Sequence, residues 1–197
     1  KHLQSRFYKI AINSKTGVVK SIYDKELKKE LVDIKAPHGF NQYIARSSTT
    51  GVEYPATESL VRKGKDGPVM GSIIITGEGE GCPQRIQEIT VYDKIKRIDI
   101  ANRLLKDSTP FQEIYFAFPF NTEKPRFKFE ATDSVITPMQ DQLPGSCTDY
   151  YAAQHWVNVS NEEFAITFSS ADAHMVELGG LWPGYVSYAH HCVTPPG

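Results

Sequence analysis

The sequence predicts an all-β sandwich or barrel. Two observations carry this. Short runs rich in β-branched and aromatic residues recur along the chain, separated by turns built on Gly and Pro. No segment has the i, i+3, i+4 apolar spacing of a convincing amphipathic helix, and no internal repeat is visible.

Phe7–Ile12 and Val18–Tyr23 read as strands. The hairpin loop between them ends at Gly17, which is free to take a positive φ. Tyr23–Val32 admits a helical turn, or a turn and a short strand; its sparse apolar spacing favours a turn. Phe40–Ala45 is the next strand, after a loop containing Pro37 and Gly39. Thr57–Arg62 and Val69–Thr76 flank a glycine-rich turn over Lys63–Pro68. Gly77–Gly81 is not a phosphate loop: its alternating carboxylates repel phosphate, and neither a Lys-Ser/Thr pair nor a helix follows. Arg85–Tyr92 and Ile95–Leu105 form a hairpin around Asp93-Lys94. Glu113–Phe120 is apolar all round and reads as a strand buried on both faces. Phe127–Ala131, Glu163–Ser169 and His174–Leu178 follow, and Leu181–Ala189 can add one more. Phe116, Phe118, Val157, Val159, Ile166 and Phe168 are the expected core residues.

The most informative stretch is Thr137–Asn161. Pro138, Pro144 and Gly145 make its first part an exposed loop. Asp149–Asn158 then reads as one strand. Alternation places Tyr151, Ala153, Val157 and Val159 on a core face, with His155 among them. Tyr150, Gln154, Trp156 and Asn158 fall on the other face, which mixes flat rings with amides. Such a face suits a sugar ring or a second protein layer, and packing is the default for such rings. Asp141, Gln142, Tyr150, Gln154 and Trp156 are the candidate carbohydrate-facing residues.

Composition narrows the function classes. The 197 residues carry a formal net charge of -1, with 40% hydrophobic and 23% charged residues. That balance is ordinary for a globular chain and gives no basic excess for nucleic acid. No run approaches the ~18 apolar residues of a membrane span. Cys82, Cys147 and Cys192 are odd in number and widely spaced, so they are not a disulfide framework, though one pair could form. Asn158-Val159-Ser160 fits the glycosylation sequon, a short motif that decides little. The chain opens at Lys1 without an initiator Met and closes on Thr194-Pro195-Pro196-Gly197, which reads as a piece of a longer chain.

No catalytic constellation stands out. Asp133, Asp141, Asp149 and Asp172 could supply paired carboxylates, but Asp in turns is the default reading. The six histidines make no H-x-D, H-x-H or H-E-x-x-H pattern. His190 and His191 would point to opposite faces of a strand, so no metal ligand is assigned. Cys147 lacks a basic neighbour, and no nucleophile elbow is present. Trp182-Pro183-Gly184-Tyr185 looks like a packed turn or a rim loop.

Several pieces, taken in order, resemble a known family. They are Phe7-Tyr8-Lys9-Ile10, Ser21-Ile22-Tyr23-Asp24-Lys25, Phe40-Asn41-Gln42-Tyr43 and Ile114–Phe120. Asp141–Gly145, Gln154–Asn161 and Ala171-Asp172-Ala173 continue the series, while Ser47–Gln84 matches poorly. Together they resemble the C-terminal β-domain of glycoside hydrolase family 38, the retaining α-mannosidases. The resemblance implies a large sandwich similar to galactose mutarotase, occupying residues 1–197 as one domain of a larger enzyme. Because that domain usually continues further, it also leaves room for the sandwich to be cut short at Gly197. The family's zinc ligands and aspartate nucleophile belong to a preceding catalytic domain, so the resemblance implies no catalytic residue and no cofactor in this chain. His190-His191-Cys192 does not match the family's later His-His-Asp motif. The implied partners are mannosides, reached through the parent enzyme, and the catalytic domain on which this one packs; neither nucleic acid nor a membrane is implied. A free-standing sugar-binding or mutarotase-like domain is the alternative, and it needs a His and a carboxylate on one sugar ring, with His155 or His174 as the histidine.

Overall fold

A computed structural model describes residues 1–56, 58–146 and 150–178, together with the backbone of residues 188–192. The described residues form strands and turns, with no helix among them. β1 (His2–Gln4), β2 (Tyr8–Ile12), β3 (Val19–Asp24) and β4 (Lys29–Glu30) make an antiparallel sheet in chain order. β5 (Gln42–Ser47) and β6 (Glu53–Pro55) begin a larger sheet. The chain leaves it to build a meander of β7 (Ser59–Asp66), β8 (Met70–Gly79), β9 (Cys82–Tyr92) and β10 (Ile98–Leu105). β11 (Gln112–Pro119) returns to pair with β5. β12 (Arg126–Ala131) and β13 (Ser134–Ile136) open a further sheet. β14 (Tyr151–Ala152) belongs to the larger sheet, whereas β15 (Trp156–Ser160) and β16 (Ala165–Ser169) pair beside β12. β17 (Met175–Leu178) and β18 (Tyr188–Cys192) complete the larger sheet, in the order β14-β17-β18-β11-β5-β6.

The main core gathers inward-facing residues from all of these sheets. Ile10 and Val19 meet Ile75 and Ile89, Tyr43 and Phe116, and Val159. Alternation along β11 explains its burial on both sides. Ile114, Phe116 and Phe118 enter this core, while Tyr115 and Ala117 pack with Ile44 on the opposite face. Phe118 meets Phe40 edge-on with ring centroids 5.3 Å apart, and Phe168 at 4.5 Å. A smaller cluster of Phe129, Tyr151, Ala153, Val157 and Val176 joins the β12 and β14 sheets.

The expected strand over 149–158 is corrected, with Asp149 lying outside the described residues. The stretch is two strands in two sheets. The Ala153 N–H donates to His174 O at 2.8 Å, and the next N–H, of Gln154, donates to Glu130 O at 2.8 Å. Consecutive donors thus serve opposite neighbours, and the chain crosses from one sheet to the other. Tyr151, Ala153, Val157 and Val159 are buried as the alternation predicts. His155 is the exception and is exposed. Tyr150 packs on the larger sheet while Trp156 belongs to the β12 sheet, so the two do not share a face. Of the expected core residues, Ile166 and Phe168 are only half-buried against the main core, and Val157 lies in the smaller cluster.

Other boundaries also move. The turn expected over Lys63–Pro68 is shorter, because β7 continues to Asp66 through an irregular register with β8. β8 runs on to Gly79, so Glu80 and Gly81 form the turn into β9. Within the Tyr23–Val32 segment, Tyr23 and Asp24 end β3 and a turn over 25–28 leads into the short strand β4. β6 and β13 were not legible as runs. Cys147 and the Trp182–Tyr185 loop fall outside the described residues, as does most of the Leu181–Ala189 run.

Candidate functional site

The outer face of the larger sheet carries a ring of hydrogen-bonded polar side chains that is partly open to solvent. Glu113 and Tyr115 alternate on β11 and point away from the main core, and Arg46 on β5 stands opposite Glu113 in the register. Tyr150, just before β14, packs over Ile44, Tyr115 and Ala117. The Tyr115 hydroxyl donates to Glu113 Oε2 at 2.5 Å. With its one proton so used, it accepts from the Tyr150 hydroxyl at 2.7 Å. Arg46 closes the ring: Nη2 reaches Glu113 Oε2 at 2.9 Å, Nε donates to the same oxygen at 3.1 Å, and Nη2 reaches the Tyr150 oxygen at 3.5 Å. The guanidinium carbon lies 5.3 Å from the Tyr115 ring centroid. Glu177 on β17 is buried nearby, and the register sets it opposite His190 of β18.

Electrostatics fix the protonation of this ring. Burial, then the hydrogen bonds to Glu113 and Tyr150, push the Tyr115 phenol far above its ordinary value. Burial likewise raises Tyr150. Burial works to lower Arg46, but Tyr115, Glu113, Tyr150 and Glu177 raise it on balance. At neutral pH the two phenols are therefore hydrogen-bond donors, not bases, and Arg46 stays charged. The side chains of Arg46 and Glu113 keep 21% and 29% exposure. The ring thus presents a charged, pre-oriented edge able to bond hydroxyl groups.

Of the predicted residues, Tyr150 alone joins this ring. Asp141 and Gln142 brace their own loop: Thr137 N donates to Asp141 Oδ2 at 2.7 Å and Met139 N to Gln142 Oε1 at 2.8 Å. Gln154 is exposed, and its carbonyl oxygen bonds the His174 ring nitrogen at 2.9 Å. Trp156 is half-buried beside a crevice of about 10 Å³ lined also by Val157, Phe168 and Val176. The histidines of the mutarotase-like alternative are likewise engaged. His155 Nδ1 lies 3.1 Å from Glu130 Oε2, so the two groups bond each other rather than flanking a ring-sized space. Arg46, Glu113 and Tyr115 were missed by sequence reasoning. The alternation of Glu113 and Tyr115 beside the aromatic core residues was the available signal; nothing in the spacing marks Arg46.

A depression of about 800 Å³ is lined by charges of both signs, including Lys29, Glu123, Arg126 and Glu163. Lys29 pairs with Glu163 there, and Arg126 lies 3.5 Å from Glu162. Among the described residues no three His, Cys, Asp or Glu side chains come together to hold a metal ion.

Comparison with known proteins decides the family. The family model described as "Glycosyl hydrolases family 38 C-terminal domain" matches residues 3–175. The chain belongs to this family. No curated protein sequence matches it. Among solved structures it is similar to an alpha-mannosidase from Enterococcus faecalis V583, with a TM-score of 0.74 at 9% identity. That match covers 97% of this chain and 25% of the mannosidase, so the chain spans about a quarter of its structural relative. At this identity the likeness is one of fold, and it agrees with the large all-β sandwich read from the family 38 resemblance.

Proposed function

We propose that this family 38 domain is the non-catalytic C-terminal β-domain of a retaining, α-mannosidase-like glycoside hydrolase. It packs on the catalytic domain and shapes the carbohydrate site. The observation that carries this reading is the family match over residues 3–175. The parent enzyme hydrolyses terminal α-mannosides, and its zinc is bound outside this chain. Asp141, Gln142, Tyr150, Gln154 and Trp156 are proposed to face carbohydrate. Tyr150 has the strongest physical case, because it belongs to the half-open Arg46–Glu113–Tyr115 ring. The Thr137–Ser146 loop suits interdomain packing: Met139 and Leu143 are 76% and 81% exposed beside Asp141 and Gln142.

The test is hydrolysis of a nitrophenyl α-mannoside. Full-length polypeptide is expected to turn it over, and the 197-residue chain alone, with or without added zinc, is not. An inactive full-length polypeptide, or turnover by the chain alone, would overturn the reading.

A further inference from the structure

The core contains a polar island that the mannoside reading does not use. On the inner face of β9, Ile89 and Val91 give way to Gln87 and Arg85, all of them buried. The island continues across the register, where Gln87 faces Asn102 of β10 and Arg85 faces Gly77 of β8. Asn41 and Asn102 exchange amide hydrogen bonds at 3.1 and 2.8 Å, and Gln87 Nε2 donates to Asn41 O at 2.9 Å. These amides satisfy one another. Arg85 is different.

Arg85 is 2% exposed, yet no carboxylate pairs with it among the described residues. Its Nη1 donates to Gln87 Oε1 and its Nη2 to Ser59 Oγ at 2.7 Å, both neutral acceptors. Its Nε has no hydrogen-bond partner. Tyr43 lies beneath it, 5.8 Å from guanidinium carbon to ring centroid. The titratable groups that act on it are the Cys82 thiol and the Tyr43 phenol, and burial pushes both upward and holds them neutral. Gly77 makes the room: a Cβ there would lie 2.9 Å from Arg85 Nη2. A buried guanidinium lacking a counter-ion is costly unless something else supplies the negative charge.

A cavity of about 300 Å³ adjoins it. Arg85, Gln87, Asn41 and Gln42 line its polar side, and Lys20 stands at its exposed edge. Among the described residues no Asp or Glu lines it. Its described lining therefore combines two cations with uncharged amides. We propose that this cavity binds a small oxyanion, a carboxylate or a phosphate, with Arg85 as its charged anchor and Lys20 as a second cation at the mouth. Guanidinium and amide donors together match planar or tetrahedral oxyanions.

Calorimetric titration of the 197-residue chain with acetate and with inorganic phosphate, at ionic strength held constant with chloride, tests this. Saturable binding of at least one is expected, and comparing them separates carboxylate from phosphate preference. Mannose, a neutral control, should give none. Arg85→Gln should weaken binding by about tenfold or more, as loss of a charge-assisted contact requires. Lys20→Ala, an exposed position that leaves the core intact, should weaken it by roughly threefold. Absence of binding by both anions overturns the proposal. So does binding that is equal in wild type and Lys20→Ala, whether or not Arg85→Gln folds, and so does mannose binding as tightly as the anions. None of these outcomes depends on mannoside hydrolysis.

Discussion

At the residue scale, aromatic contacts in the core and the buried His38 each make a testable contribution to stability. Phe118 is 2% exposed and holds Phe40 and Phe168 against the core. Phe118→Ala should cost about 3–5 kcal/mol in chemical denaturation, because the cavity left cannot collapse between two sheets. A loss below ~1 kcal/mol would mean that the ring does not fill this core. His38 is buried, with Nε2 3.4 Å from Glu53 Oε2. Burial lowers its pKa below the ordinary 6.5, against the raising pull of Glu53. As pH falls, the unfolded chain therefore takes up this proton before the folded one does. The stability involved is fully present above 6.5 and is lost as pH falls through the folded value. Denaturant midpoints measured from about pH 7 to about pH 5 should fall less steeply in His38→Gln than in wild type. Equal slopes would contradict that reading.

At the element scale, turns and register decide where strands end. Gly17 closes the β2–β3 hairpin at φ +74°, where an added Cβ would meet Ile75 Cγ2 at 2.3 Å. Ile75 is fully buried and cannot yield. Gly51 has a similar φ of +69° but open space around it. Gly17→Ala should therefore cost about 2–4 kcal/mol and Gly51→Ala about 1 kcal/mol. Equal losses in thermal or denaturant unfolding would show that the close approach to Ile75 does not matter. The same contrast between local and distant determinants explains what was legible in the sequence. The hairpin at Gly17 and the two-sided burial of β11 are properties of short runs, and periodicity reveals them. The crossing between β14 and β15 is not such a property. Tyr151 through Val159 keeps strand-like composition throughout, but the N–H groups of Ala153 and Gln154 find acceptors on His174 and Glu130, residues remote in sequence. Part of the candidate site is hidden for the same reason. Tyr150 stood out by type, whereas Arg46 reaches it only because β5 pairs with β11. The Arg85 island is illegible in the sequence for another reason: a charged residue is almost never fully buried, so residue type alone points Arg85 toward water.

At the scale of the whole molecule, the chain is a sandwich with family 38 identity and a half-open polar ring on one sheet face. Its part in catalysis is proposed to be one of shaping a site that other residues of the parent enzyme complete. Trp156→Ala separates packing from function at the neighbouring crevice. If Trp156 only packs, full-length protein should lose stability by up to about 3 kcal/mol while activity per folded molecule is unchanged. If it faces sugar, turnover should fall with little change in melting temperature. The most direct measurement is kcat/KM for a nitrophenyl α-mannoside with full-length Tyr150→Phe. This change deletes one hydroxyl from the ring and leaves the aromatic packing in place. A roughly tenfold fall in kcat/KM, with a melting temperature within a few degrees of wild type, is expected if the ring borders the carbohydrate site. An unchanged kcat/KM in a folded, active enzyme would contradict it.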